Sequence, residues 1–118
     1  MNRRYCLALD LKDDPKLIDA YKSSHRKENF RHEITDSIKN AGILDMQIYL
    51  TGNRLFMIME VDDETFDFGR KAEMDASNPL VQDWEDFVSR FQQTLPWAKE
   101  GEKWVLMERI FGLDNREM

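Results

Sequence analysis

The stretch RLFMIMEV, Arg54 to Val61, holds five apolar residues in unbroken succession. Side chains of a strand point alternately to its two faces, so a strand with one wet face alternates apolar and polar residues. This stretch does not alternate until Glu60, and RYCLALDL, Arg4 to Leu11, barely does. Both read as strands that need cover on two sides. ILDMQIYL, Ile43 to Leu50, precedes the first of them across Thr51-Gly52-Asn53. Gly and Asn accept the positive φ of a tight connection, so the pair reads as a hairpin.

Helical spacing fills most of the remainder. Asp14 can cap a helix whose first position is Pro15, a residue pre-set for that place and needing no N–H there. Leu17, Ile18 and Tyr21 follow at helical intervals, and a charged patch interrupts them, with a break expected from Arg26 to Asn29. Phe30, Ile34, Ile38 and Ala41 then mark one face of a second helical segment, ended by Gly42. Glu64 to Ser77 is helix-like, weakened at Gly69, and Asn78 caps a longer helix from Pro79 carrying Leu80, Trp84, Phe87, Val88 and Phe91. LPWAKEGEK is a loop, and WVLMERIF, Trp104 to Phe111, reads as the last strand. This order of elements makes two split βαβ units, an α+β ferredoxin-like plait with an antiparallel sheet and helices on one face. A second copy is the simplest cover for the other face, which predicts a homodimer closed through the sheets into a dimeric α/β barrel. One domain, 1–113, and a polar tail, 114–118, complete the reading.

At 118 residues the chain has room for one core. A net charge of −6 speaks against nucleic-acid partners, which are bound by an excess of Lys and Arg. Cys6 is alone, so neither an intrachain disulfide nor a thiolate metal site is expected. No apolar run approaches a signal or a membrane span, so the expected setting is cytoplasmic. No metal and no other cofactor is expected, since no phosphate loop, nucleophile elbow or ligand spacing occurs.

Chemistry concentrates around the two histidines. Tyr21 and His25, four apart, point the same way from a helix. With an unperturbed pKa of about 6.5, an imidazole can give and take a proton near neutrality, and a phenol beside it can hold a hydroxyl. The same spacing also suits a solvent-facing imidazole at a helix end, where its charged form meets the C-terminal dipole. His32, between Arg31 and Glu33, looks solvated. Glu60 is in phase with Phe56 and Ile58, and with Glu108 and Arg109 it could form an interior polar cluster; a strand-end charge reaching solvent fits equally well. Asp45 and Gln47, either side of Met46, read as a polar strand edge. Trp84, Trp97 and Trp104 could each be core or a stacking face for a sugar, and Trp84 has the carboxylate of Glu85 beside it.

The ordered set AYKSSH, AGILDMQIYL, LFMIMEV, NPLVQDWEDF and LMERIF resembles the L-rhamnose mutarotase family over nearly the whole chain. Some relatives with the long PWAKEGEKWVLMERIF ending look like mutarotases for L-fucose. The resemblance implies an enzyme that interconverts α and β pyranose forms of a 6-deoxy-hexose by acid/base ring opening and closure, without a cofactor. It gives His25 the proton-donor role and makes Tyr21, Met46, Trp84 and Glu85 sugar contacts. Family members usually carry Tyr where Met46 stands and an aromatic where Glu85 stands. A Trp-Pro pair usually follows the histidine, whereas this chain has Arg31-His32 and a short insertion, which makes His32 a second candidate. Glu85, Glu60 or a water remains open as the base. A binding module without turnover, or another cofactor-free barrel enzyme, is the alternative.

Overall fold

Gly52, at φ +58°, turns the chain between β2 (Ile43–Thr51) and β3 (Arg54–Asp62), and the hairpin pairs in register from Thr51 opposite Arg54. In this computed structural model, which describes residues 2–113, β3 pairs on its other side with β1 (Asn2–Leu11), also antiparallel. The strand order is β2-β3-β1-β4, with β4 (Gln92–Gln93) and β5 (Val105–Leu106) sharing the remaining edge of β1.

Register fixes the two faces. Leu55, Met57 and Met59 of β3 lie opposite Leu9, Leu7 and Tyr5 on one side and Leu50, Ile48 and Met46 on the other. This face packs against helices. Phe56 and Ile58 lie opposite Ala8 and Cys6, and opposite Tyr49 and Gln47, on the face the helices leave bare. A bulge at Leu44 shifts the register between Ile43 and Asp45. In an unbroken strand Ile43 and Met46, three apart, would point to opposite faces; with the bulge both join the same core.

The helices begin where their caps dictate. Asp14 Oδ1 accepts from the amides of Lys16 and Leu17 at the start of α1 (Pro15–Ser24). Asn78 Oδ1 does the same for Leu80 in α4 (Pro79–Ser89), and Asp67 for Arg70 in α3 (Phe68–Ala76). α2 (His32–Asn40) starts later than the apolar spacing suggests, because the break runs through Phe30 to Arg31. Gly42, at φ +93°, joins α2 to β2; a Cβ there would stand 2.7 Å from Thr65 Oγ1 and 3.2 Å from the Phe66 amide nitrogen, so the position is closed to other residues twice over.

Two buried clusters lie under the helices. One gathers Leu7, Ala41, Ile43, Met59 and Val61; the other gathers Leu11, Tyr21, Leu55, Val88 and Phe91. Trp104 packs against both.

Two expectations need correction. The last strand is short: only Val105 and Leu106 pair with β1, and after Met107 N donates to Cys6 O at 2.8 Å the chain leaves the sheet. Gln92 and Gln93 pair with Leu11 and Asp10 at one end of that edge, and Val105 and Leu106 pair with Ala8 and Leu7 further along it. Glu108 and Arg109 are consequently exposed and form no interior cluster with Glu60. Glu60 itself lies opposite Arg4 and Asp45 on the bare face. The polar tail read at 114–118 lies outside the described residues.

Candidate active site

His25 is the C-cap of α1, and its ring completes the helix. Its own N–H bonds back to Lys22 O, which leaves the Tyr21 carbonyl without its usual amide donor. Ser24 Oγ donates to that carbonyl at 2.6 Å, and His25 Nδ1 stands 2.9 Å from it. A carbonyl only accepts, so Nδ1 carries hydrogen and the lone pair of the neutral ring is on Nε2. The tautomer follows from the bond, as assigned and not as a visible proton.

Aromatic rings enclose this imidazole. Tyr21 lies 4.3 Å away between centroids, Trp84 5.3 Å and Phe30 5.5 Å, with Phe30 and Trp84 5.1 Å apart edge to face. α1 supplies Tyr21 and His25 one turn apart, the break between α1 and α2 supplies Phe30, and the inner stripe of α4 supplies Trp84. Burial pushes the pKa of His25 below its ordinary value, and the bond to Tyr21 O opposes this less strongly. Burial pushes the Tyr21 phenol up to about 12, against a smaller opposing effect of a hydrogen bond with Gln92. At neutral pH the site therefore holds an uncharged imidazole with a free lone pair and a phenol that keeps its proton. Outside the cluster, the Arg31 guanidinium lies 5.4 Å from the ring centres of both Trp84 and Phe87. These residues, with Ala20, Ser23, Ser24 and Asn29, line a groove of about 440 Å³.

The sequence candidates divide. Tyr21, His25 and Trp84 come together. Met46 joins the neighbouring cluster around Met59, separated from Tyr21 by cluster membership but linked to it through Trp104. Glu85 is half-buried, and its Oε2 takes a 3.5 Å hydrogen bond from Gln82. His32 is not brought in: its side chain is 90% exposed and pairs with Glu33 at 3.6 Å. Glu60, on the far face of the sheet, cannot reach the ring cluster. Phe30 and Arg31 belong to the site and were not read as such. Neither stood out in the sequence: Phe30 read as the start of a helical face, and Arg31 as a departure from the family's Trp-Pro pair. Among the described residues no group of three His, Cys, Asp or Glu side chains is placed to hold a metal ion.

The model of the L-rhamnose mutarotase family matches residues 4–113. The chain belongs to that family. Mutarotases are isomerases, and the free imidazole nitrogen is a group with which such chemistry can be done. An L-fucose mutarotase of Xanthomonas campestris pv. campestris is 42% identical over 113 residues, covering 96% of this chain and 90% of the relative. A UPF0734 protein of Dictyostelium discoideum is 33% identical, covering 95% and 90%. In fold, the crystal structure of an L-rhamnose mutarotase from Formosa agariphila superposes with a TM-score of 0.68 at 23% identity, over 94% of this chain and 98% of that one. A polyketide cyclase of Streptomyces glaucescens, tetracenomycin F2 cyclase, gives 0.61 at 16%, over 93% and 95%. The α+β architecture with its antiparallel sheet is thus shared with mutarotases and a cyclase alike. No helix among the described residues is long and apolar enough to cross a membrane.

Proposed function

We propose that this family member interconverts the α and β pyranose anomers of a 6-deoxy-hexose, with L-fucose the first substrate to try and L-rhamnose the second. The observation that carries the reading is the imidazole of His25, tied through Nδ1 to the Tyr21 carbonyl, held among three rings and left with a free Nε2. The 42% identity to an L-fucose mutarotase supports the order of the sugars.

Anomerisation needs the anomeric hydroxyl to lose a proton and the ring oxygen to gain one. Both oxygens hang on the same carbon, so one nitrogen can serve both. Nε2 takes the proton from the anomeric hydroxyl, the C1–O5 bond breaks as the carbonyl forms, and the imidazolium returns the proton to O5. The aldehyde turns, and the reverse steps close the ring on its other face. His25 is then the proton donor to the ring oxygen, and because its folded pKa is lowered the resting ring is unprotonated and its lone pair is available to accept a proton. Trp84 and Tyr21 wall and hold the sugar, with Met46 and Glu85 as outlying contacts. Glu60 and His32 take no part. No cofactor enters these steps.

The same reading includes a homodimer through the bare sheet face. Phe56 and Ile58 lie on that face, and the chain beyond β5 carries Ile110, Phe111 and Leu113 at 87%, 75% and 91% exposure. A cytoplasmic setting goes with the single free thiol.

Saturation-transfer NMR of L-fucose and L-rhamnose tests the activity. Wild type should transfer saturation between anomers at a rate above buffer, and His25→Ala should not. Binding without exchange would leave a sugar-binding module in place of an enzyme.

A further inference from the structure

Arg31 is anchored by its backbone and uncommitted at its head group. Its carbonyl accepts from the amides of Ile34 and Thr35 at the start of α2, and its side chain makes no bond to that cap. The guanidinium stands 5.4 Å from the ring centres of both Trp84 and Phe87, in the groove of about 440 Å³ beside the ring cluster. Among the described residues it is the one charged side chain lining that groove, and no hydrogen bond or ion pair engages it. The stem of a methionine or a lysine would cover the two rings as well. Packing therefore does not account for a set of N–H donors left without a protein acceptor.

Asn29, in the same groove, supplies the complement. Its Nδ2 donates to the Ser23 carbonyl at 2.8 Å and to Ser23 Oγ at 3.4 Å, which fixes the amide's orientation. Its Oδ1 is left as an acceptor with no donor among the described residues. A donor fork and an acceptor together suit neighbouring hydroxyls, which accept from a guanidinium and donate to an amide oxygen. A carboxylate or phosphate would use the fork but set lone pair against lone pair at Oδ1, and a chain of net charge −6 does not steer anions toward itself. The groove's volume falls within the roughly 300–1,000 Å³ of small-molecule sites. It also adjoins the imidazole: Ser24 Oγ, on its wall, lies 3.0 Å from His25 Nδ1, and Trp84 lies 5.3 Å from the imidazole between centroids.

We propose that the Arg31 guanidinium binds two neighbouring hydroxyls of the substrate sugar, which makes Arg31 a specificity-determining residue of this chain. The proposal rests on the mutarotase reading of the His25 site. The C–H face of the sugar rests on Trp84, its anomeric end reaches the imidazole, and its diol stays in the groove. The two rings already hold the guanidinium, so little side-chain freedom is lost when the sugar arrives. A sugar lacking one of those hydroxyls leaves a donor unpaired, and sites built to bind a hydroxyl reject such analogues. Where family members usually carry Trp-Pro, this chain thus sets a hydrogen-bonding group in place of an apolar wall.

The test compares wild type with Arg31→Met, which keeps a stem for the rings and removes the donors, and with Arg31→Lys, which keeps the charge and loses the fork. The substrates are L-fucose or L-rhamnose, whichever the wild type turns over, and its monodeoxy analogues. Both variants lower kcat/KM for the parent sugar by roughly tenfold or more, chiefly through KM, the worth of a bond to a charged donor. The deficit of Arg31→Met is smaller on two analogues, those lacking one or other of a neighbouring pair of hydroxyls. A wild-type KM in either variant, or a deficit equal on every analogue, overturns the proposal. A second readout does not depend on how a variant folds: the Arg31 Nε–H resonance of isotope-labelled wild type shifts as the sugar is titrated. Acetate at equal concentration leaves it in place; an acetate shift as large as the sugar's overturns the diol in favour of an anion. Anomeric exchange with an unmoved resonance sinks the Arg31 contact and spares the mutarotase reading. A shifted resonance without exchange does the reverse, and neither signal overturns both.

Discussion

The two faces of the sheet treat their polar groups in opposite ways. On the bare face Asp10 is buried at 4% exposure, and both its oxygens are engaged by Arg54, at 2.7 Å from Nε and 3.1 Å from Nη2. Trp97 lies over the guanidinium at 5.0 Å. Nearby, Tyr49, Gln47 and Asp45 bond to one another in a row. On the helix-covered face two polar groups are left part-paired: His25 is bound at Nδ1 but not at Nε2, and Gln92 Oε1 is buried with no hydrogen-bond partner among the described residues. Closed pairing holds an architecture together, whereas half-pairing leaves a group free to act on something that arrives. Burial alone would not have told these faces apart.

The difference can be attacked from either side. The largest effect belongs to His25→Ala, which should cut anomeric exchange by between about a hundred- and ten-thousandfold, the usual worth of a general acid/base. Circular dichroism should stay folded, since the ring closes only the last turn of α1. Next comes Leu55→Ala on the helix-covered face, where a side chain at 2% exposure is lost; a cost of about 2–5 kcal/mol is expected in a denaturant titration. Its opposite-facing counterpart Ile58→Asp should change protomer folding far less and instead shift the sedimentation of a dimer toward monomer. A protomer that sediments as a monomer in wild type would refute the paired-sheet assembly.

A smaller effect comes from pH. His25 has a folded pKa below its unfolded value of about 6.5. Its share of the stability is therefore complete above that value and is lost as pH falls through the folded pKa. The kcat/KM profile should fall on the same acid limb, with an inflection below about 6.5, and His25→Gln should remove that part of the pH dependence of unfolding. An inflection above this value would mean that the imidazole is held charged. The smallest effect is expected from Arg54→Gln, which opens the closed pairing on the bare face. It should lower Tm by a few degrees and leave exchange at the wild-type rate.

Much of this was legible because local chemistry decided it. Asp14-Pro15, Asn78-Pro79 and Gly42 punctuate the chain by rules that need no tertiary partner, and each stands where its cap or turn requires. The Tyr21–His25 spacing put two rings on one helix face for the same reason. The last strand was misread because a strand is defined by its neighbour: WVLMERIF has a strand's composition, but only Val105 and Leu106 pair with β1. Glu60 was left undecided because β3 is apolar on both faces, so alternation gave no sense of which side was which. Gln92 lies on a two-residue strand shortly after an amphipathic helix, and nothing in QQ shows that its amide oxygen is buried without a partner among the described residues. Sites assembled from three or four elements are visible only once those elements are in contact.

The knot between His25 and the end of α1 has a further consequence. The ring that trades hydrogen with a substrate is the same ring that stands in for the missing amide at the Tyr21 carbonyl. Charge arriving at Nε2 strengthens Nδ1 as a donor, but burial opposes that charge more strongly, so each catalytic visit strains the last turn of α1 and each departure relaxes it. A helix end becomes a gauge of turnover, and amide exchange at His25 and Arg26, corrected for its intrinsic pH dependence, should quicken when the imidazole is kept protonated by acid.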